Sequence, residues 1–242
     1  MQSVFRFKQF ELKHGGSGMK LTTDSLLLGA WVRPDAPVQT IIDAGCGCGI
    51  LALMCAQRFP DAGITAIDNN PGACDEADDN FRSSPWHSRL HTVCADINDW
   101  ITSLESPVDM IICNPPYFTE TLRSPDASRA DARHAGSLSA AAIISIAGRI
   151  LTPDGTLALV IPFDHLRQLS LPASLASLSF SRIAHIAARE GKTPSLALVQ
   201  LSRRESHTPP EPELIDIRDA SGYFTPAYQR LTHPFLLYDK KK

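Results

Sequence analysis

Between Thr40 and Ile161 the chain alternates short apolar runs of strand length with longer stretches of helical period, and this alternation limits its fold more than any other feature. The runs are Thr40 to Asp43, Ile64 to Asp68, Leu90 to Ala95, Val108 to Cys113 and Thr156 to Ile161, the last following the turn Thr152-Pro153-Asp154-Gly155. Ile50 to Arg58, Pro71 to Phe81 and Leu138 to Leu151 read as the helices between them, the second opening on a proline. Strands joined through helices pair in parallel, because only such a crossover returns the chain to the same end of a sheet. Phe180 to Ala188 and Ser195 to Ser202 are separated only by a short connection carrying Gly191 and Pro194, which suits a hairpin and one antiparallel strand. The expectation is a doubly wound α/β fold whose mostly parallel, seven-stranded sheet has one antiparallel strand near the edge.

The flanks are less regular. Phe5 to Lys13 partly alternates and ends at Gly15-Gly16-Ser17-Gly18, so residues 1–20 read as an N-terminal arm or short strand. Thr22-Thr23-Asp24 looks like a cap and first turn of a helix that Pro34 and Pro37 close. Phe163 to Leu178 reads as a helix weakened by Pro172, residues 206–213 as a Pro- and Glu-rich loop, and Tyr223 to Tyr238 as a helix broken by Pro234. The main domain is expected over residues 21–205, with 206–242 an extension packed on it. A length of 242 residues, 43% of them hydrophobic, suffices for one such core. The net charge of -3 leaves any basic surface local. Cys46, Cys48, Cys55, Cys74, Cys94 and Cys113 lack paired Cys-x-x-Cys spacing and read as reduced, buried thiols. Without a signal peptide or a run of membrane-spanning length, a soluble cytoplasmic protein is expected.

After the first strand of the alternating region comes Asp43-Ala44-Gly45-Cys46-Gly47-Cys48-Gly49. Glycines at Gly45, Gly47 and Gly49 allow a tight turn and close approach of backbone to ligand. Asp68 stands about twenty residues on, at the end of the next strand, where a carboxylate can accept both hydroxyls of a ribose; capping the following helix is the alternative. The third glycine falls one position early for a dinucleotide fingerprint, and Asp43 would repel a pyrophosphate while attracting a cationic amino group. S-adenosylmethionine therefore suits the turn better than a dinucleotide. Asp96, after the third strand, offers an acceptor to the adenine amine and Ile97 an apolar face to its ring; a carboxylate facing water is the other reading.

Asn114-Pro115-Pro116-Tyr117 follows the apolar run Met110 to Cys113. An amine conjugated to a ring or carbonyl is a poor nucleophile, and the Asn114 side-chain oxygen with the Pro115 carbonyl can accept its two hydrogens. The prolines Pro115 and Pro116 stiffen the backbone, while Tyr117 and Phe118 offer faces to a flat base. The bland alternative is a proline-rich turn with packed aromatics. A cofactor turn and an amine clamp on one sheet point to methyl transfer, which needs no metal.

Together these residues resemble the class I S-adenosylmethionine-dependent amino-methyltransferases, which methylate adenine N6, guanine N2 or a glutamine side chain. Within that group the chain is similar to the bacterial tRNA1(Val) adenine N6-methyltransferases. The resemblance is carried by Phe7 to Phe10, Met19 to Trp31, Ser84-Pro85-Trp86, Asn114 to Phe118 and Tyr223 to Tyr228, so it spans nearly the whole chain. It implies a Rossmann-like fold and a target adenine at position 37, beside the anticodon. It also implies that Lys20, Thr22, Thr23 and Asp24 close over the cofactor, with Asp43, Gly45, Gly47, Gly49, Asp68, Asn69, Asp96, Ile97 and Asn114 lining its pocket. The family pattern has glycine where this chain has Ser25, and serine or threonine where it has Cys48.

Leu122 to Gly136 holds Arg123, Arg129, Arg133 and His134 without apolar period, as either a grip on tRNA phosphates or a solvated loop diluted by Asp126 and Asp131. Arg6, Lys8 and Lys13 interleaved with Phe5, Phe7 and Phe10 suit RNA contact or an edge strand equally. Lys240-Lys241-Lys242 reads as a frayed tail. Protein glutamine N5-methylation is the nearest rival, disfavoured because only a short segment, and no helical domain, precedes the glycine turn. Guanine N2-methylation of ribosomal RNA and a non-catalytic cofactor- or RNA-binding module remain alternatives. The partner expected is tRNA, specifically a valine tRNA anticodon loop, met by a monomer that engages no membrane.

Overall fold

The computed structural model describes residues 3–16, 22–116, 138–204, 208 and 210–238. Its centre is the expected sheet. Strands β3 (Thr40–Ala44), β4 (Gly63–Asp68), β5 (Leu90–Cys94), β6 (Val108–Cys113) and β7 (Leu151–Pro162) run parallel, in the spatial order β7-β6-β3-β4-β5. Next to β7 lies β9 (Leu196–Ser202), antiparallel both to it and to β8 (Ser179–Ala187). All seven strands read from the sequence are present. An eighth, β10 (Glu213–Asp216), adds in parallel to β8 at the edge, inside the extension expected to pack as a helix and loop.

The central strands are nearly continuous apolar runs because both of their faces are covered. Ile41, Ile64, Met110, Ile112 and Val160 point to one face, beneath α1 (Thr23–Trp31), α2 (Ile50–Arg58) and α3 (Pro71–Arg82). Their neighbours Ile42, Ile67, Ile111, Leu157 and Leu159 point to the other. That face is covered by Ile97 of α4 (Ile97–Trp100), Ile143, Ile144 and Ile150 of α5 (Ala140–Ile150) and Ala173 of α6 (Ser170–Leu175). Period-two alternation thus distributes one apolar segment between two cores.

Several boundaries differ from the sequence reading. Phe163 to Leu178 is a 3-10 segment, Phe163–Leu169, followed by α6, with Pro172 in the first turn where its missing N–H costs nothing. The segment Thr152 to Gly155 lies inside β7 as an interruption of its register with β6. The last helix, α7 (Pro226–Thr232), is shorter than expected; Thr225 caps it, accepting from Tyr228 N, and Pro226 opens it. The N-terminal arm is a hairpin of β1 (Ser3–Arg6) and β2 (Glu11–His14). Phe7 stacks on Phe10, ring centroids 4.4 Å apart, and Phe10 meets the edge of Trp86. Five cysteines are buried and Cys94 is exposed. Among the described residues no helix is long and apolar enough to cross a membrane.

Candidate functional site

Every parallel strand delivers its C-terminal end to the same side of the sheet. The strand order reverses between β3 and β6, and open α/β sheets bind ligands at such a reversal. Asp43 lies opposite Ile112 and Asp68 opposite Cys94, so Asn114, one residue beyond β6, stands beside the glycine turn that leaves β3. Adjacent strands are separated by about 4.8 Å. The clamp and the turn are therefore neighbours in space although distant in sequence.

The turn is built as its glycines require. Gly45, Gly47 and Gly49 have φ of 70°, 53° and 80°, a region that side chains with a Cβ disfavour. Gly45 N and Cys46 N donate to the Ile67 carbonyl at 2.8 and 3.0 Å, stitching the turn to the end of β4. Gly47 N donates to Asp68 Oδ2 at 2.9 Å, and Asn70 N to Asp68 Oδ1 at 2.9 Å. Asp68 thus orders the turn with one oxygen and the entry to α3 with the other, and being half-buried it keeps further lone pairs for an incoming hydroxyl. The cap of α3 is Asn70, which accepts from Gly72 N and Ala73 N. Asn69 is exposed beside it.

Asp43 is fully buried below the turn. Its Oδ2 accepts from Ala52 N at 2.9 Å, whereas Oδ1 has no hydrogen-bond partner among the described residues. Burial, with a lesser push from the Asp68 charge, raises its carboxyl to about 7 against the opposing pull of the Ala52 amide. An unpartnered acceptor under a glycine turn fits a ligand that brings a positive charge, such as the amino group of S-adenosylmethionine. Asp96 caps α4: Oδ1 accepts from Asn98 N at 2.8 Å and Asn98 Nδ2 at 3.0 Å, and Oδ2 accepts nothing among the described residues. Ile97 beside it is buried.

Asn114 is half-buried, Pro115 buried and Pro116 exposed. Asn114 Nδ2 donates to Ser25 Oγ at 2.9 Å. Ser25 belongs to the first turn of α1, whose cap Thr22 accepts from Ser25 N, so Thr22, Thr23 and Asp24 sit over the strand ends near Asn114. Lys20, Tyr117, Phe118, Arg123, Arg129, Arg133 and His134 lie outside the described residues.

Two contributors escaped the sequence reading. Ser25 is one. The other is Asn80 of α3, buried, which donates to the Cys48 carbonyl at 2.9 Å and to the Lys13 carbonyl at 2.8 Å while accepting from Lys13 N at 2.9 Å. It ties the glycine turn to the N-terminal hairpin. That hairpin turns Phe7 and Phe10 into the core, so those rings are unavailable to stack on a base. Of its basic residues, Lys8 Nζ bonds the His233 carbonyl and Arg6 pairs with Glu11 at 2.9 Å. A separate hollow of about 270 Å³ opens at the other end of the strands, beside Val38, Asp109 and Thr152. There Asp109 is already engaged by Gln39 N, Thr40 N and Thr40 Oγ1.

Known proteins share this fold. A predicted O-methyltransferase from Agrobacterium tumefaciens superposes with a TM-score of 0.61 at 18% identity, covering 88% of this chain and 96% of its own. M. jannaschii TYW2, solved in complex with AdoMet, reaches 0.55 at 11% identity, covering 84% of this chain and 87% of its own. These likenesses concern the fold. Sequence reaches further: a tRNA1(Val) (adenine(37)-N6)-methyltransferase from Photobacterium profundum is 39% identical over 98% of this chain and 99% of its own. The enzyme of the same name from Porphyromonas gingivalis W83 is 37% identical over 96% of this chain and 94% of its own. With the methyltransferase small domain matching residues 20–191 as well, the chain belongs to the methyltransferase small domain family and, within it, to the group of these relatives.

Proposed function

We propose that this chain transfers the methyl group of S-adenosylmethionine to N6 of adenine 37 in tRNA1(Val). The observation that carries the chemistry is the adjacency of Asn114 and the glycine turn on neighbouring parallel strand ends. Relatives of that name, similar over nearly the full length, support the target ring and the tRNA.

The bound cofactor supplies an electrophilic methyl group on a sulfonium. The chain's residues hold the partners in line and keep water from between them. Asp68 suits the ribose hydroxyls, the open oxygen of Asp43 the amino group, and Asp96 with Ile97 the adenine end. Thr22 to Asp24, with Lys20, fit a cover over the cofactor. Asn114 Oδ1 and the Pro115 carbonyl accept the hydrogens of the target amine. As that nitrogen forms its new bond it becomes cationic and its protons acidify, and fixed acceptors stabilise the charge where water is excluded. No strong base is needed. Tyr117 and Phe118 are assigned to the base, and Arg129, Arg133 and His134 to the RNA backbone. The protein is taken to act as a monomer in the cytoplasm, with residues 21–205 as its catalytic domain and the segments on either side as appendages.

The test is incubation with S-adenosylmethionine and undermethylated tRNA, followed by nucleoside mass spectrometry. N6-methyladenosine is expected at position 37 of tRNA1(Val). Methyl on guanosine or on a protein glutamine, with none on adenosine, refutes the assignment. Asn114→Ala is expected to lower kcat by about a hundredfold, the scale of one lost transition-state acceptor, and to weaken cofactor affinity far less. Wild-type turnover in that variant removes the clamp from the mechanism.

A further inference from the structure

We propose that a rim formed by Arg189, Lys192, Arg218 and Tyr223 is a second RNA contact, gripping backbone phosphates and stacking an unpaired base while the target adenine sits at Asn114. The inference rests on the adenine-methylation reading and adds to it a place where the same RNA is held.

Topology puts this rim at the substrate end of the sheet. β7 and β8 are both antiparallel to β9, so β8 runs with the parallel strands, and β10 runs with β8. The turns that follow β8 and β10 therefore leave the sheet at the end where Asn114 follows β6. Three strand spacings separate β6 from β8 and four separate it from β10, about 14 and 19 Å. A base held at Asn114 reaches neither turn, but the run of nucleotides that carries it does.

The two turns are fastened together. Glu190 N donates to the Arg218 carbonyl at 2.8 Å, and Asp219 N to the Tyr223 carbonyl at 2.8 Å. Arg189, Lys192 and Arg218 are exposed, and Tyr223 is 64% exposed. Among the described residues none of these three cations forms an ion pair. Arg218 is held flat, its guanidinium carbon 4.3 Å from the Phe224 ring centroid and Nη1 donating to the Gly222 carbonyl at 2.7 Å. A guanidinium so fixed has further donors for a phosphate. Of the acids nearby, Glu190 is exposed, while Asp216 and Asp219 are half-buried and Asp219 Oδ1 accepts from Tyr223 N at 3.0 Å. Cations without acidic partners beside a water-facing aromatic ring suit an unpaired stretch of RNA, the cations meeting phosphates and the ring a base.

The experiment titrates the full chain into a labelled anticodon stem-loop RNA at several salt concentrations, followed by fluorescence anisotropy. Wild type is compared with Arg189→Ala/Lys192→Ala, with Tyr223→Ala and with Arg149→Ala/Arg204→Ala. The last removes two exposed cations from the opposite end of the strands, where α5 ends and β7 begins. The rim pair should raise the RNA Kd about tenfold and make the dependence of log Kd on log salt shallower by about 1–2. Tyr223→Ala should also raise Kd about tenfold, with the salt slope unchanged because no charge is lost. The control pair should keep both wild-type values. In the methylation assay the rim variants should raise KM for tRNA while kcat and the cofactor Kd stay in place. Unchanged RNA affinity in either rim variant, or an equal loss in the control pair, overturns the proposal and leaves a merely solvated rim. Should wild type bind this RNA yet leave adenosine unmethylated, the functional reading fails while the salt series still decides whether the rim holds RNA.

Discussion

Replacing Gly49 by alanine tests whether the turn is shaped by conformation alone or also by what packs under it. Gly49 has φ of +80°, and a Cβ built there would lie 2.5 Å from Phe81 Cε1, 2.8 Å from Cζ and 3.3 Å from the Ala77 Cβ. Left-handed backbone at a residue with a Cβ costs about 1–2 kcal/mol. Forcing a methyl into a filled core adds about 1–3 kcal/mol. Phe81 cannot swing clear, being 2% exposed and packed inside the same cluster as Ala77. The expected loss is therefore about 2–5 kcal/mol. Gly45 is the control: φ is +70°, but its Cβ would meet only Leu138 Cδ2, at 3.7 Å. Gly45→Ala should lose the conformational part alone, about 1–2 kcal/mol. Urea denaturation followed by circular dichroism measures both, with a constant m-value showing that the unfolded reference has not moved. Adding Phe81→Leu should then cost the Gly49→Ala protein less than it costs wild type, because it relieves the overlap. Binding should rank the variants the other way. Gly45 is exposed at the surface of the turn and Gly49 is buried, so titration calorimetry should find cofactor affinity hurt more by Gly45→Ala. If Gly49→Ala unfolds no more easily than Gly45→Ala, the steric account of the turn is wrong.

Three further outcomes follow from the site. Asp68→Ala removes a charged acceptor from the ribose position and from Gly47 N, each such bond being worth about 1.5–3 kcal/mol. Cofactor Kd should rise at least tenfold by calorimetry, and an unchanged value refutes the ribose assignment. Asp43, raised from 3.8 to about 7, binds a proton more readily folded than unfolded. Its contribution is thus fully present below about pH 4 and is lost as pH rises through about 7, a swing on the order of 4 kcal/mol. Urea midpoints for the cofactor-free protein should therefore fall less between about pH 5 and about pH 8 in Asp43→Asn than in wild type, and equal falls would contradict the shift. Asn80→Ala strips partners from Lys13 and the Cys48 carbonyl, so it should cost about 2–4 kcal/mol and expose the N-terminal hairpin to limited proteolysis. Wild-type stability and protease resistance would show that this tie is dispensable.

What the sequence disclosed and what it hid divide along a physical line. Ile41, Ile42, Ile111 and Ile112 had to be apolar because both faces of their strands are covered, so the parallel core was written in consecutive residues. Gly45, Gly47 and Gly49 were legible for the same local reason, since each occupies backbone space that favours glycine. β10 was not, because an edge strand of four residues burying only Ile215 needs no apolar run. It is held instead by Arg182, which pairs with Glu213 and lies 4.3 Å over the Trp31 ring. Ser25 and Asn80 were equally invisible. Their partners stand 89 and 67 positions away, and nothing in a serine of a first turn or an asparagine of an acidic helix announces which carbonyl or amide it will meet. A chain with alanine at both positions would give the same reading of strands, turn and clamp. It would nevertheless lose the Ser25 bond to the Asn114 amide and the Asn80 bond to the Cys48 carbonyl, so the precision of such a site is carried by contacts that only the fold brings together.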